Sequence, residues 1–453
     1  MRRLGTIALM LGALLLPAAS APQPPAPKSL LLISLDTTRA DHLHCYGYPL
    51  PTSPTLDALA ADGILFENTF TQAVNTGPAH ASLLTGLAPA AHGVRFNGTS
   101  LSPEFPTLAS LLSAAGYRTA AFVSGYTMMA AQTGFDRGFE VYEDKFTGQE
   151  RRSDQTVDLA IAWLQSAPAG KPYFLFVHLF DPHGRYDPPE GGAQFRKGSY
   201  APIPSAEDIP EYQRLERPGG GVSLDPLDYI SRYDGEIAHA DSQIKRLLAR
   251  AGDKTVVAFT SDHGETLAER DYYFGHGARL SDEAVRVPLI LKTGDPKLKG
   301  KRVRGAAQLV DVLPTLLPAL GQPTPPRLPG RNLLPFARAG AIPPGTTVIS
   351  EARATPQSAG GRNLAFPPRS LVVAARSESS KLIVYPTTAG AVYDLFDLAS
   401  DPLEKAGTSA PEKARASKLF TALDLYRNGG RLPDPPEIDE ETKKKLRSLG
   451  YVD

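Results

Sequence analysis

The chain has 453 residues, 42% of them hydrophobic, and its Lys plus Arg and Asp plus Glu totals are both 48, so its formal net charge is zero. That length and composition supply a large globular core, and the charge balance excludes a global field that would recruit nucleic acid or an anionic membrane. The one cysteine, Cys45, excludes an intramolecular disulfide.

Residues 1–21 carry two arginines, an apolar run from Ile7 to Leu16 and the small-residue sequence Ala19-Ser20-Ala21. This pattern predicts a secretory signal peptide and an exported protein, periplasmic or secreted. The run is too short to span a bilayer, so no integral membrane span is expected. Residues 22–28 are proline-rich and predict a spacer.

Leu30 to Leu35 predicts a buried parallel strand with Asp36 at its carboxyl end, where doubly wound sheets bind ligands. Asp36 fits either a ligand to a hard divalent cation or a cap on the next turn. Ser53 to Ala60, ended by Gly63, predicts a helix, and Ile64 to Phe70 a strand. Val74 to Gly86 is a polar turn leading into a short apolar helix, with Pro78 suited to its first turn and Gly86 to the left-handed position after its last. Thr76 stands at the start of that helix, either as an N-cap or as a group beside an anion.

Thr107 to Ala115 predicts a capped helix, and Arg118 to Ser124 the strand after it. Tyr173 to Leu179 predicts another apolar strand, followed by Asp181-Pro182-His183. On the residues alone, His178 and His183 read as surface or core histidines rather than ligands. Gly191 to Asp225 lacks periodicity and predicts a surface insertion near the mouth of an active site. Tyr229 to Arg250 has Ile237, Ile244, Leu247 and Leu248 at helical spacing and predicts an amphipathic helix, with Asp234, Glu236 and His239 as solvated or packing residues. Thr255 to Thr260 predicts a strand running into Ser261-Asp262-His263-Gly264-Glu265, where adjacent Asp262 and His263 offer one hard and one intermediate ligand to the same cation.

The predicted fold class is α/β, a large mostly parallel central sheet with helices on both faces and a small C-terminal antiparallel sheet with a packing helix. Gly321 to Gly330 marks a linker, which gives a catalytic domain over 29–320 and a smaller subdomain and charged tail over 321–453. Within the latter, Ser370 to Arg376, Lys381 to Tyr385 and Val392 to Leu398 predict strands, and Lys413 to Tyr426 a helix; the tail ends in Leu449-Gly450-Tyr451.

Pro78, Ser82, Leu83, Leu84, Thr85 and Gly86 resemble the sulfatase signature C/S-x-P-S-R-x-S-L-L-T-G. His92-Gly93-Val94 with Asn97, Asp181-Pro182-His183, Ser261 to Glu265, Phe274-Gly275-His276-Gly277 and Arg286 to Leu291 are similar to further segments of the same family. The chain is thus identified as a sulfatase-like member of the alkaline phosphatase superfamily. The resemblance implies an ester hydrolase in which Asp36, Thr76, Asp262 and His263 gather a divalent cation and Thr76 is the nucleophile. It also gives His183 and His276 the task of holding the transferring group, positioning a second cation or protonating the leaving oxygen. The His92 to Asn97 segment is structural first and a substrate contact second.

This chain departs from the sulfatase pattern at several places, Ala79 in the position of the signature Ser among them. Thr76 occupies the Cys or Ser position that becomes formylglycine, His80 the Arg position and Thr37 the second of two adjacent acids, and Phe122 to Tyr126 replaces the G-K-W-H segment. His263, where many sulfatases have Asn, resembles the phosphate-ester members and implies zinc or manganese ahead of calcium. Formylglycine can expel sulfate by elimination, whereas a threonine sulfate ester has no such exit and a threonine phosphate can be hydrolysed. Phosphoesters are therefore expected ahead of sulfate esters, with a small-molecule or glycan ester as the partner. The alternatives are a group transferase acting on an envelope glycan or lipid, and a non-catalytic binding protein of the same fold.

Overall fold

The computed structural model describes residues 28–166, 170–409 and 413–428, with residues 440, 441, 444 and 448. The expected signal peptide, the spacer up to residue 27 and Leu449-Gly450-Tyr451 lie outside the described residues.

The larger sheet is built from β1 (Leu30–Leu35), β2 (Ile64–Phe70), β3 (Arg118–Val123), β4 (Val141–Glu143), β5 (Tyr173–Leu179), β6 (Val256–Thr260), β7 (Arg286–Val287), β8 (Leu289–Lys292) and β9 (Lys301–Gln308). Their order is β4-β3-β5-β1-β6-β8-β2-β7, with β9 also paired to β2. The strands β4, β3, β5, β1 and β6 are mutually parallel, while β8 runs antiparallel to both β6 and β2. β1 is central, and all of its residues are buried.

Alternation along β1 assigns its side chains to the two faces. Leu30 and Leu32 join a core that includes Leu83, Leu84, Leu313 and Leu316. Leu31, Ile33 and Leu35 join one that includes Leu56, Val157, Ile237 and Leu247. Helices Thr76–Thr85 and Val312–Ala319 thus cover one face, and Pro54–Asp62, Ser153–Gln165 and Pro226–Ala251 the other. The single strand that the family resemblance implies over Arg286 to Leu291 is instead split into β7 and β8 at Pro288. Proline has no N–H to give to a ladder, and the Pro288 carbonyl accepts from Thr260 Oγ1 at 2.8 Å.

The smaller sheet has four antiparallel strands, β10 (Val348–Arg353), β11 (Leu371–Arg376), β12 (Ser380–Thr387) and β13 (Gly390–Asp397). Helix Lys413–Asn428 covers one face through Ala416, Leu419 and Leu423. The other face packs on Phe70, Val74 and Val285 of the larger part. β10 was not expected from the sequence, because Ser350, Glu351 and Arg353 interrupt its apolar pattern. No described helix is long and apolar enough to cross a membrane.

Candidate active site and metal centre

Three neighbouring parallel strands end together. In their shared register Ser34 of β1 lies between His178 of β5 and Thr260 of β6. Just past the ends of β1 and β6 stand Asp36 and Asp262. Ligand atoms of Asp36, Asp262 and His263 lie within 4.8 Å of one another, and all three residues are buried. His263 Nε2 is 3.3 Å from Asp262 Oδ2 and 4.0 Å from Asp36 Oδ1. These three atoms have no hydrogen-bond partner among the described residues.

Leaving two carboxylate oxygens and a ring nitrogen buried without partners is costly unless a cation joins them. The mixed oxygen and nitrogen set fits a divalent ion. Burial raises the Asp36 carboxyl well above the usual carboxylate range, and the charge of Asp262 adds to the shift. Burial also raises Asp262, but the imidazoles of His263, His80 and His178 turn its net shift downward. Without a cation the protonated form is thus favoured on Asp36 rather than on Asp262, and binding of a cation opposes that preference. Glycine follows His263 because a Cβ on Gly264 would stand 2.0 Å from the Glu283 carbonyl oxygen.

Thr76 is fully buried and is the first residue of helix Thr76–Thr85; the N-cap is Asn75. The N-cap reading of Thr76 is therefore corrected by one residue, and its hydroxyl instead hydrogen-bonds the Asp36 carboxyl. Asn97 supplies a partner that Asn75 does not, its Oδ1 accepting from the Gly77 N–H at 2.8 Å. Gly86 ends the helix in the left-handed conformation, φ 70°, as its position requires.

His183 and His276 reach the same cluster. The His276 ring centroid lies 4.5 Å from that of His263 and 4.9 Å from that of His183. His276 Nδ1 lies 3.2 Å from the buried Glu265 carboxylate, which fixes its tautomer. His183 Nδ1 donates to the Gly184 carbonyl at 2.9 Å. Burial, then the neighbouring His276, pushes the His183 pKa well below the usual imidazole range, so the ring is neutral at pH 7.

Two histidines with no role assigned from the sequence also belong to the site. His178 Nε2 donates to Asp36 Oδ2 at 3.0 Å. Its signal was a lone polar residue in register with Ser34 at the end of an apolar strand. His80 Nδ1 donates to the Thr76 carbonyl at 2.8 Å, and its Nε2 accepts from Ser34 Oγ at 2.9 Å. Burial lowers the His80 pKa to about 4, so a neutral ring occupies the position of the sulfatase Arg. Thr37, at the second acid position, has φ 52° and gives its N–H to Asp262 Oδ1 at 3.2 Å.

Asp181, which the family resemblance makes a weaker companion of His183, is engaged by Ser153. Its Oδ1 accepts from the Ser153 N–H and Oγ at 3.1 and 2.7 Å, at the start of helix Ser153–Gln165. The segment after Gly191 is more than a surface loop, since Ile203, Ile209 and Leu215 are buried in the core. Its Tyr212 ring stacks at 6.3 Å from that of His183.

Asp234, Glu236 and His239 are buried, which leaves packing rather than solvation as their environment. Glu236 accepts from the Asp187 N–H at 2.7 Å, and burial, with the charge of Asp181, pushes its pKa up to about 9. A carboxyl raised on folding costs stability as pH rises from its unfolded value, near 4.5, through 9. Glu236→Gln keeps the acceptor and removes the titration. Its thermal midpoint is expected to gain on the wild type progressively between pH 5 and pH 9; a constant difference across that range would show that Glu236 does not titrate there.

The sulfatase family model matches residues 28–322. The multifunctional alkaline phosphatase superfamily protein PehA of Trinickia caryophylli is 29% identical over 410 residues, covering 69% of this chain and 77% of that protein. An arylsulfatase of Clostridium perfringens is 26% identical over 358 residues, covering 64% and 74%. Among solved structures, the phosphonate monoester hydrolase of Agrobacterium radiobacter superposes with a TM-score of 0.69 at 25% identity, over 88% of this chain and 95% of that one. An enzyme solved with its substrate D-glucosamine-2-N,6-O-disulfate superposes with a TM-score of 0.74 at 20% identity, over 91% of this chain and 100% of that one.

Proposed function

The chain belongs to the sulfatase family and is an ester hydrolase of the sulfate and phosphate ester class; on that premise we propose that it is a metal-dependent phosphoesterase with Thr76 as its nucleophile. The observation that carries this reading is the Thr76 hydroxyl, at a helix start and hydrogen-bonded to Asp36, beside the buried Asp36, Asp262 and His263 set. Those three residues would hold the cation, together with Thr76. The cation supplies positive charge that makes the threonine hydroxyl acidic enough to react at neutral pH and offsets the charge of the transferred group.

The Thr76 oxygen attacks phosphorus, forming a bond to the threonine as the bond to the leaving oxygen breaks. The hydroxyl proton would be lost to solvent once the site is loaded, and the Thr76 oxygen would take up a proton again when water cleaves the threonine phosphate. His276, backed by Glu265, gives a proton to the leaving oxygen and takes one back from the water that cleaves the threonine phosphate. His183, held neutral, orients the transferred group. His80 keeps the first turn in place through the Thr76 carbonyl. A threonine ester lacks the elimination route open to formylglycine, so phosphorus is the better fit.

Export belongs to the same proposal and rests on the residue 1–21 pattern. Zinc or manganese is the proposed ion, from the Asp and His donor set. The test is a panel of p-nitrophenyl phosphate, bis-p-nitrophenyl phosphate and p-nitrophenyl sulfate, each with zinc, manganese or calcium. Faster cleavage of a phosphate ester with zinc or manganese is expected. Dominant sulfate turnover with calcium would reverse the substrate assignment.

A further inference from the structure

We propose that Glu351, on β10 of the smaller sheet, is a positioning residue that sets the place of Thr76; the inference rests on Thr76 being the nucleophile. Three segments frame the Thr76 turn: residues 71–73 before it, residues 95–97 beyond its helix, and the short helix Pro89–His92. The Glu351 stretch engages all three.

The Glu351 N–H donates to the Gln72 carbonyl at 2.9 Å, and Ser350 Oγ donates to the Thr71 carbonyl at 2.6 Å. Glu351 Oε2 accepts from Arg95 at 3.1 Å and from the Tyr426 hydroxyl at 2.7 Å. Arg95 stands two residues before Asn97, the side chain that holds the Gly77 N–H. The Tyr426 hydroxyl accepts from the Ala90 N–H at 3.3 Å, and His92 in the same short helix bonds Ser82, on the Thr76 helix, at 3.0 Å. The Glu351 carboxylate thus ties the loop that holds the neighbour of Thr76 and a brace on its helix to the smaller sheet and its helix, while the Glu351 N–H and Ser350 Oγ tie the approach to Thr76.

Stability alone is a poor account of this arrangement. Glu351 is 2% exposed and Arg95 9%, and Glu351 Oε1 and Arg95 Nε lack hydrogen-bond partners among the described residues. A buried ion pair with unmet groups is often no better for stability than an apolar pair of similar volume. An apolar pair, however, would not orient the Arg95 loop and, through Tyr426, the Pro89–His92 helix by direction. A nucleophile displaced by about 1 Å can lose about 10²-fold in rate.

The test compares the wild type with the double variant R95M/E351L, which removes both charges at once, and with Glu351→Gln and Tyr426→Phe. Each is measured for thermal midpoint, for kcat and KM on the ester that the wild type cleaves, and for hydrogen exchange of the 71–80 peptide, which needs no substrate. R95M/E351L is expected to keep its midpoint within a few degrees. Its kcat is expected to fall by about 10–100-fold with KM little changed, and residues 71–80 to exchange faster. Glu351→Gln, which retains an acceptor, is expected to recover most of that loss. If R95M/E351L fails to fold, Tyr426→Phe decides, with a several-fold lower kcat and faster exchange expected.

Unchanged kcat and unchanged exchange in a folded variant would overturn the proposal, as would losses that track the unfolded fraction alone. Thr76→Ala, run in parallel, separates the two readings. An active Thr76→Ala protein rejects the nucleophile, whereas an inactive one beside a fully active R95M/E351L rejects only the role of Glu351.

Discussion

Thr76→Ala is expected to remove turnover to the background of the assay, a loss of at least about 10³-fold in kcat, while the protein stays folded. Thr76 is buried at the first position of its helix, where the N-cap is Asn75 and the following N–H is held by Asn97, so the helix start does not depend on the lost hydroxyl. The stability cost is expected to be about 1 kcal/mol, in the ordinary range for a point substitution. Thr76→Ser keeps the oxygen and is expected to retain activity within about tenfold, since it alters only the methyl that limits rotation. Steady-state kinetics with a thermal melt of each variant decides the matter. An active Thr76→Ala protein would remove Thr76 from the chemistry.

Stripping divalent cations has the second large expected effect. Chelation and dialysis are expected to abolish turnover and to lower the thermal midpoint, because an ion that binds only the folded state stabilises it. Zinc or manganese is expected to restore both. Binding is expected to weaken as pH falls, since Asp36, raised by burial, must give up its proton to admit the ion. Titration of the stripped protein by calorimetry at several pH values reads this directly. Asp262→Asn removes the charge of the more acidic carboxyl and is expected to weaken ion binding and reduce kcat by about 10–100-fold or more. A stripped protein that turns over at full rate, with metal analysis showing no bound ion, would end the metal reading.

The frame of the site was legible in the sequence because strands feeding polar turns are a strong local signal. β1, β2 and β5 appear with the bounds that the apolar runs predict. The turns after β1 and β6 deliver Asp36, Asp262 and His263 to one place, as expected of adjacent parallel strands. Their convergence requires only that β1 and β6 be neighbours, as they are.

The unread parts depend on contacts remote in sequence. His178 looks like a surface or core residue until its register with Ser34 turns it towards Asp36. His80 matters because it reaches Ser34, 46 positions earlier in the chain. Glu265 closes the motif Ser261 to Glu265, but its role depends on His276 folding back to it. β10 was hidden by its buried polar residues, Ser350 and Glu351, whose partners lie in residues 71–73 and at Arg95. Pattern reading finds faces of strands and helices; it does not find a buried carboxylate whose partners belong to another sheet.

The central claim is a covalent threonine phosphate, formed and then cleaved by two successive in-line displacements. The most direct measurement is the stereochemical course at phosphorus, using an isotopically chiral phosphate ester that the purified enzyme hydrolyses. Net retention of configuration is predicted, since each displacement inverts the centre once. Net inversion, the mark of a single attack by water, would contradict the account.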